Sequence, residues 1–361
     1  MTRRLPQAET LARALEARTT PGQLFTPGER GAVRCVACAH RCVIAINANG
    51  ACGVRLNRDG VLRVPHGYIA RSYVRPVETN TIFHLCPGAL ALTFGMYGCD
   101  LRCPYCHNHR ISQALRDGSD DEAPRECSAE ALVLEAVEAG CSVICAAYNE
   151  PMIAAEWVRS VFTCAKRHGL YTAVVSDGHS TREALTFLRD VTDVFRVDLK
   201  AASESGYREL GGRLEPVLES IGVARELGYW VEVVTLVVPG LNHDPPSIRG
   251  LARALHAIDP NLPWHLNAFV PRYRWGERPA PDPSFLTIAA GMAYATGLRF
   301  VYVGNVPGFS ELSHTRCPRC ATPVVRRENY STLESTLSDG ACPACHEQIP
   351  GIWTSSPMRS A

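Results

Sequence analysis
The sequence predicts an α/β protein: a parallel sheet built from strand–helix units, with a small cysteine-rich module on either side. Three observations predict it. Seven β-type runs alternate with helical stretches between residues 91 and 305, polar side chains gather at the ends of six of those runs, and most cysteines fall into three close-spaced groups.

The β-type runs are ALTFGMY (91–97), SVICAAY (142–148), YTAVVS (171–176), VFRVDLK (194–200), VEVVTLVV (231–238), WHLNAFV (264–270) and RFVYVG (299–304). Helical stretches such as SAEALVLEAVEAG (128–140) and EPVLESIGVARELG (215–228) lie between them. Alternation of this length implies βαβ units and a parallel sheet, open or closed. Ahead of it, segments such as NANGACGVRLNRDG (47–60) carry the Gly and Asn of turns and hairpins. Behind it, residues 309–361 hold paired CxxC motifs and little else from which to build a core. The expected organisation is an N-terminal cysteine-rich module (1–90), a central α/β domain (91–308) and a C-terminal four-cysteine module (309–361).

Composition narrows the function classes. With 46% hydrophobic and 20% charged residues and a net charge of +1, the chain reads as an ordinary globular protein. No global field attracts nucleic acid or anionic lipid. No apolar run is long enough to span a bilayer, and the N-terminal MTRRLPQAETLARALEAR has no apolar core segment, so it reads as an amphipathic helix rather than a signal peptide. The expected compartment is the cytoplasm. Sixteen cysteines would suggest disulfides in a short secreted chain, but this chain has 361 residues. Thiols two or three residues apart turn readily toward one ion, whereas a disulfide between them is strained. Metal binding in a reducing compartment is the better reading.

The central group, Cys99, Cys103 and Cys106, has C-x3-C-x2-C spacing directly after the first run. Three thiolates hold three corners of a cubane cluster and leave the fourth iron open to a ligand; a zinc knuckle lacking one ligand is the alternative. In parallel α/β barrels chemistry collects at the C-terminal ends of strands. Asn149 and Glu150 follow the second run, Ser176 and Asp177 end the third, and Asp198 and Lys200 end the fourth; His265 and Asn267 lie in the sixth and Asn305 follows the last. Together they predict one shared pocket. Lys200 stands out because only it and Lys166 are lysines among 37 basic residues. Asp198 also fits a structural acid paired with Lys200, and His265, beside Trp264 on an apolar strand, also fits a hydrogen-bonded core histidine.

These motifs resemble a known family. Cys99 to Cys106 is similar to the radical S-adenosylmethionine (SAM) signature, and CPYCHN (103–108) resembles pyruvate formate-lyase activating enzymes. Across almost the whole chain the ordered set RCVACAHRC (34–42), HLCPGALALTFGMYGCDLRC (84–103), YNEP (148–151), DLKA (198–201), EVVTLVVPGLN (232–242), PWHLNAFVP (263–271) and VYVGNVPG (301–308) resembles the radical SAM protein of the AmmeMemoRadiSam system. The resemblance implies a partial (β/α)6-type barrel and a [4Fe-4S] cluster on Cys99, Cys103 and Cys106. It further implies reductive cleavage of SAM to a 5′-deoxyadenosyl radical that acts on a substrate the sequence does not name. It places Tyr105 near the adenine, Asn149 and Glu150 in place of a glycine-rich motif at the methionine end, and Ser176 and Asp177 near the ribose or methionine. Lys200, His265 and Asp198 match catalytic pocket positions of activating enzymes. The implied partners are a reductant such as flavodoxin or ferredoxin, and the two other proteins of the AmmeMemoRadiSam system or a protein substrate. A glycyl-radical activase is the competing enzyme reading, and a non-enzymatic metal ribbon binding nucleic acid the third, disfavoured by the neutral charge.

Two further metal sites are expected. Cys317, Cys320, Cys342 and Cys345 form two CxxC knuckles of a four-cysteine zinc ribbon, whose small size calls for metal to fold. Cys35, Cys38, Cys42 and Cys52, spaced C-x2-C-x3-C-x9-C, are expected to bind zinc or an auxiliary iron–sulfur cluster, with His40 as a possible replacement ligand. Cys86, Cys127, Cys141, Cys145 and Cys164 read as buried thiols.

Overall fold
The computed structural model describes residues 6–118, 123–308 and 310–354. Its centre is one eight-stranded sheet: β1 (Arg71–Pro76), β2 (Leu90–Gly95), β3 (Val143–Ala146), β4 (Tyr171–Ser176), β5 (Val194–Asp198), β6 (Trp230–Val237), β7 (Trp264–Ala268) and β8 (Val301–Gly304). The strands lie side by side in chain order, β2 to β8 all parallel and β1 antiparallel to β2. The parallel part therefore has seven strands rather than six, and no pairing joins β1 to β8 among the described residues, so the sheet is open.

Each return from strand to strand is set locally. Ser128 caps α1 (Ala129–Glu138) by accepting from the Ala131 amide, and Thr181 caps α3 (Arg182–Leu188) by accepting from the Ala184 amide. α2 (Ala155–Arg167) lies between them, and α4 (Leu214–Glu226) joins β5 to β6. Asp244 and Asp282 cap α5 (Pro245–Ile258) and α6 (Pro283–Ala295), each with proline in the first turn, where its missing N–H costs nothing. Trp157, Phe162, Phe195 and Trp264 fill the core between helices and sheet.

Both flanking modules are anchored to this frame through a buried carboxylate. On the N-terminal side, Arg55 makes a bidentate pair with Glu156 of α2 at 2.8 and 2.9 Å, and Glu156 also accepts from the amides of Gln23 and Leu24. On the C-terminal side, Glu232 of β6 accepts from the Phe83 and His84 amides, Trp230 Nε1 and His265 Nε2. The C-terminal module is then laid on segment 83–86: Arg327 donates to the Phe83 carbonyl at 2.7 Å, and Ile352 pairs with Leu85.

The expected boundary at residue 90 is corrected. β1 precedes it yet belongs to the central sheet, and segment 83–86 plugs the sheet's lower end. β1 escaped the pattern because it is an edge strand, largely exposed and ending in Pro76, which a central strand would not tolerate.

Candidate functional site
The ends of the strands converge on one cavity of about 340 Å³. Its wall carries Cys99, Cys103 and Cys106 from the loop after β2, Asn149 and Glu150 after β3, Asp177 after β4, Arg196, Asp198 and Lys200 on and after β5, and Asn267 and Asn305 from β7 and after β8. A flat sheet cannot present all its ends to one cavity, so the sheet wraps as a partial barrel.

The three cysteines sit on a rigid loop. Asn149 holds it: its Oδ1 accepts from the Met96 amide at 2.9 Å and its Nδ2 donates to the Gly98 carbonyl at 3.1 Å. Arg116 adds a donor to the Cys99 carbonyl at 2.8 Å. Burial, with Asp177 and Asp100 close by, pushes the Cys99 thiol far up, and burial pushes Cys103 up to about 12. Thiols in such a place ionise only when a cation takes up the charge.

Tyr105 is buried on the cavity wall against Trp275 and Phe269, with ring centroids 5.3 and 6.2 Å away, and its hydroxyl has no partner among the described residues. Glu150 is 2% exposed; its oxygens accept from the Met152 amide, the Ser176 hydroxyl and the Asp177 amide at 3.0, 2.9 and 2.7 Å. Burial, with Asp100 next, raises its carboxyl to about 7. A carboxylate has about four acceptor sites, so one remains for a donor in the cavity.

Asp198 bridges two cations, accepting from Lys200 Nζ at 2.9 Å and from Arg196. Burial opposes its charge, yet Arg196 and Lys200 hold it below the usual carboxylate range. Lys200 is likewise opposed by burial and held well up by Asp198. Two cations against one carboxylate leave this wall suited to an anionic group.

Two expected site residues are placed elsewhere. His265 lies at the lower end of the sheet, 1% exposed, donating to Glu232 at 2.7 Å with Phe83 and Tyr302 packed on its ring. It faces the same way as Asn267 but two residues lower, below the cavity, and works as a core histidine. Ser176 does not reach the cavity wall; its hydroxyl is turned to Glu150. Asn149 does reach the wall, but both ends of its amide are spent on the cysteine loop. Sequence reasoning missed Arg196, Trp275, Asp100 and His179. Arg196 had a signal, a cation two residues before Asp198 on the same strand face; Trp275 had none, since it arrives from a loop 170 residues after Tyr105.

The donor set fits a cubane cluster with a bound ligand. Three sulfurs border one cavity, yet among the described residues they are not gathered within 4.8 Å of one another as the C-terminal four are. That spacing is too open for all three on one tetrahedral ion and leaves room for a cluster. In the C-terminal module Cys317 and Cys345 sulfurs are 3.5 Å apart and Cys320 and Cys342 3.6 Å. Four thiolates at about 2.3 Å from one tetrahedral ion stand about 3.8 Å apart, so this group suits a single metal ion.

Residues 94–249 match the family model described as "Radical SAM superfamily". The chain is 31% identical over 325 residues to an uncharacterized protein of Methanocaldococcus jannaschii, spanning 88% of this chain and 95% of that one. It is 30% identical over 174 residues to pyruvate formate-lyase 1-activating enzyme of Escherichia coli (strain K12), spanning 46% of this chain and 68% of that enzyme. Among solved structures, a radical SAM methyltransferase from Sphaerobacter thermophilus aligns over 82% of this chain and 80% of that one, at 13% identity and a TM-score of 0.48. No helix among the described residues is long and apolar enough to cross a membrane.

Proposed function
The chain belongs to the radical SAM superfamily, and we propose that it is a SAM-cleaving enzyme of the AmmeMemoRadiSam kind, acting in the cytoplasm on a substrate still to be identified. The observation that carries this reading is the placement of Cys99, Cys103 and Cys106 on the wall of one cavity shared by the polar ends of the sheet. When bound there, a [4Fe-4S] cluster with SAM supplies a 5′-deoxyadenosyl radical able to remove hydrogen from an unactivated C–H bond.

The chain's own residues bind, orient and exclude water. Tyr105, backed by Trp275, offers an apolar wall for the adenine. The remaining acceptor site of Glu150 takes the SAM amino group, and the Arg196–Asp198–Lys200 wall takes a carboxylate, of SAM or of substrate. Asp177 lies beside Cys99, its carboxylate 3.9 Å from the sulfur. The C-terminal four-cysteine group is read as a zinc site. Electrons are expected from a flavodoxin or ferredoxin, and the two other AmmeMemoRadiSam proteins or a protein substrate are the expected partners.

A second reading, activation of a glycyl-radical enzyme, is favoured by the 30% identity to the activating enzyme. It leaves the two flanking modules without a role, since that similarity spans only 46% of the chain.

The test is anaerobic reconstitution with iron, sulfide and SAM, followed by assay for 5′-deoxyadenosine. Wild type should form it under reduction, and Cys103→Ala should not, because two thiolates do not hold a cubane. Product from the variant at the wild-type rate would end the assignment.

A further inference from the structure
The geometry points to a second iron–sulfur centre, held by Cys35, Cys38, Cys42 and Cys52, that adjoins the Cys99 loop and serves as its electron entry. The inference rests on the reading that Cys99, Cys103 and Cys106 hold a cubane cluster.

The first support is the environment of the sulfurs. Cys35, Cys38 and Cys52 are buried, and Cys42 is half-buried at the edge of the group. The Cys35 amide donates to the Cys42 carbonyl at 2.9 Å, which closes the loop between them. The Ala51 amide donates to Cys42 at 3.4 Å, and the backbone amides of His40 beside Cys38 and of Val54 and Arg55 beside Cys52 favour charge on those sulfurs. Amide donors of this kind stabilise and tune cluster-bound thiolates.

The second support is spacing. Among the described residues no three of these sulfurs lie within 4.8 Å of one another, whereas all four of the C-terminal group do. A tetrahedral zinc ion asks for about 3.8 Å between sulfurs. The N-terminal set, like Cys99, Cys103 and Cys106, is more open than one tetrahedral ion asks for.

The third support is the joint between the two sets. Cys99 Sγ is 4.0 Å from Asp100 Oδ1, and Cys38, Asp100 and His179 bring ligand atoms within 4.8 Å of one another. Asp100 thus stands between a sulfur of each set. His40 adds a contact to the Asp100 carbonyl at 3.3 Å. One guanidinium, Arg116, donates both to the Ala51 carbonyl beside Cys52 and to the Cys99 carbonyl, at 2.9 and 2.8 Å. Gly98 lies so close to the Cys52 carbonyl that an added Cβ would sit 2.9 Å from its oxygen. The two cysteine loops touch backbone to backbone. Such a centre would take one electron from a low-potential donor of the flavodoxin or ferredoxin class, which is oxidised, and would pass it to the cluster that Cys99, Cys103 and Cys106 would hold, being itself reoxidised. No bond forms or breaks and no proton is needed.

The experiment uses the anaerobically reconstituted full chain and counts iron, acid-labile sulfide and zinc. A variant with Cys99, Cys103 and Cys106 all changed to Ala should keep about half of the wild-type iron and sulfide. Cys38→Ala/Cys42→Ala, which leaves only two thiolates in the N-terminal set, should lose that half but keep a reduced-cluster paramagnetic signal that responds to SAM. It should cleave SAM at the wild-type rate with dithionite and about tenfold more slowly with reduced flavodoxin. A triple variant that holds zinc at a second site, with no sulfide, overturns the centre. Equal wild-type and double-variant rates with flavodoxin overturn the electron entry. If the double variant does not fold, the triple variant, whose N-terminal set is intact, decides the centre alone. If that variant keeps its cluster while no SAM response exists in any form, the second centre stands and the radical SAM reading falls.

Discussion

The two flanking groups of four cysteines have the same chemistry and opposite geometry. In the C-terminal module the sulfurs form a tight tetrahedron, 3.5 and 3.6 Å across its two close pairs, and Cys320 is exposed. In the N-terminal module the sulfurs are spread, mostly buried, and packed against the loop that carries Cys99. Sequence spacing alone fits a zinc ribbon at one end and leaves zinc or a cluster open at the other. Only the fold reveals that the N-terminal group adjoins the Cys99 loop while the C-terminal group lies away from it. The difference teaches that what a cysteine set is for depends on what its loop touches, beyond how many residues separate its members.

The anchors make this comparison breakable. Arg55 and Glu156 are both buried, and Glu156 is held below its usual range against the penalty of burial, chiefly by Arg55. Removing one partner of such a pair strands the other, at a cost of about 3–5 kcal/mol. Arg55→Ala should therefore produce the largest loss in a urea titration and reduce metal at the N-terminal set. Metal at Cys317, Cys320, Cys342 and Cys345 should stay. Loss at both ends in equal measure would mean that the modules are one cooperative unit.

Glu232 is the corresponding anchor on the other side. Burial would raise its carboxyl, but the His265 hydrogen bond and other donors bring it down to about 2, from an ordinary 4.5. A depressed folded-state value gives stability that is present above 4.5 and lost as pH falls toward 2. At about 1.4 kcal/mol per unit, the ionised form contributes about 3 kcal/mol at neutral pH. Glu232→Gln should lose most of this at pH 7, and its gap from wild type should narrow steadily below pH 4.5. The C-terminal metal should become easier to chelate while the N-terminal set is unaffected. A gap that stays constant down to pH 3 would show that Glu232 acts through shape alone.

Much of this architecture was legible in the sequence because periodicity and burial agree. All seven β-type runs became parallel strands, since each is largely buried and its apolar residues outnumber the polar ones placed for the site and the anchors. β1 was missed for the converse reason: RSYVRP is exposed, and an edge strand has no burial pattern to read. Within the site, residues that follow strands were legible as a set, because strand ends share one face of the sheet. Their individual tasks were not. Ser176 is turned away from the cavity, Asn149 reaches it with its amide spent on the cysteine loop, and His265 sits two residues too low, differences set by hydrogen bonds to partners distant in sequence. Asp100 and His179 matter only through contact with Cys38 and Cys99, which no local pattern announces.

The smallest effect tests the contact itself. Gly98 has φ +88°, and a Cβ there would meet the Cys52 carbonyl oxygen and Val54 Cγ1, both at 2.9 Å. Gly140 has φ +69° with nothing within 4 Å of an added Cβ. Both glycines occupy the left-handed region, where a side chain costs about 1–2 kcal/mol, so Gly140→Ala measures the backbone penalty by itself. Gly98→Ala pays that penalty and must also push the Cys52 loop away. Its stability loss should exceed that of Gly140→Ala by about 1 kcal/mol, in the range that overpacking costs. The excess should come with a weaker iron–sulfur signal from the N-terminal set and no change in C-terminal metal. Equal losses in the two variants would show that the loops yield without consequence, and the N-terminal cysteines would then be as independent of the barrel site as the C-terminal ones.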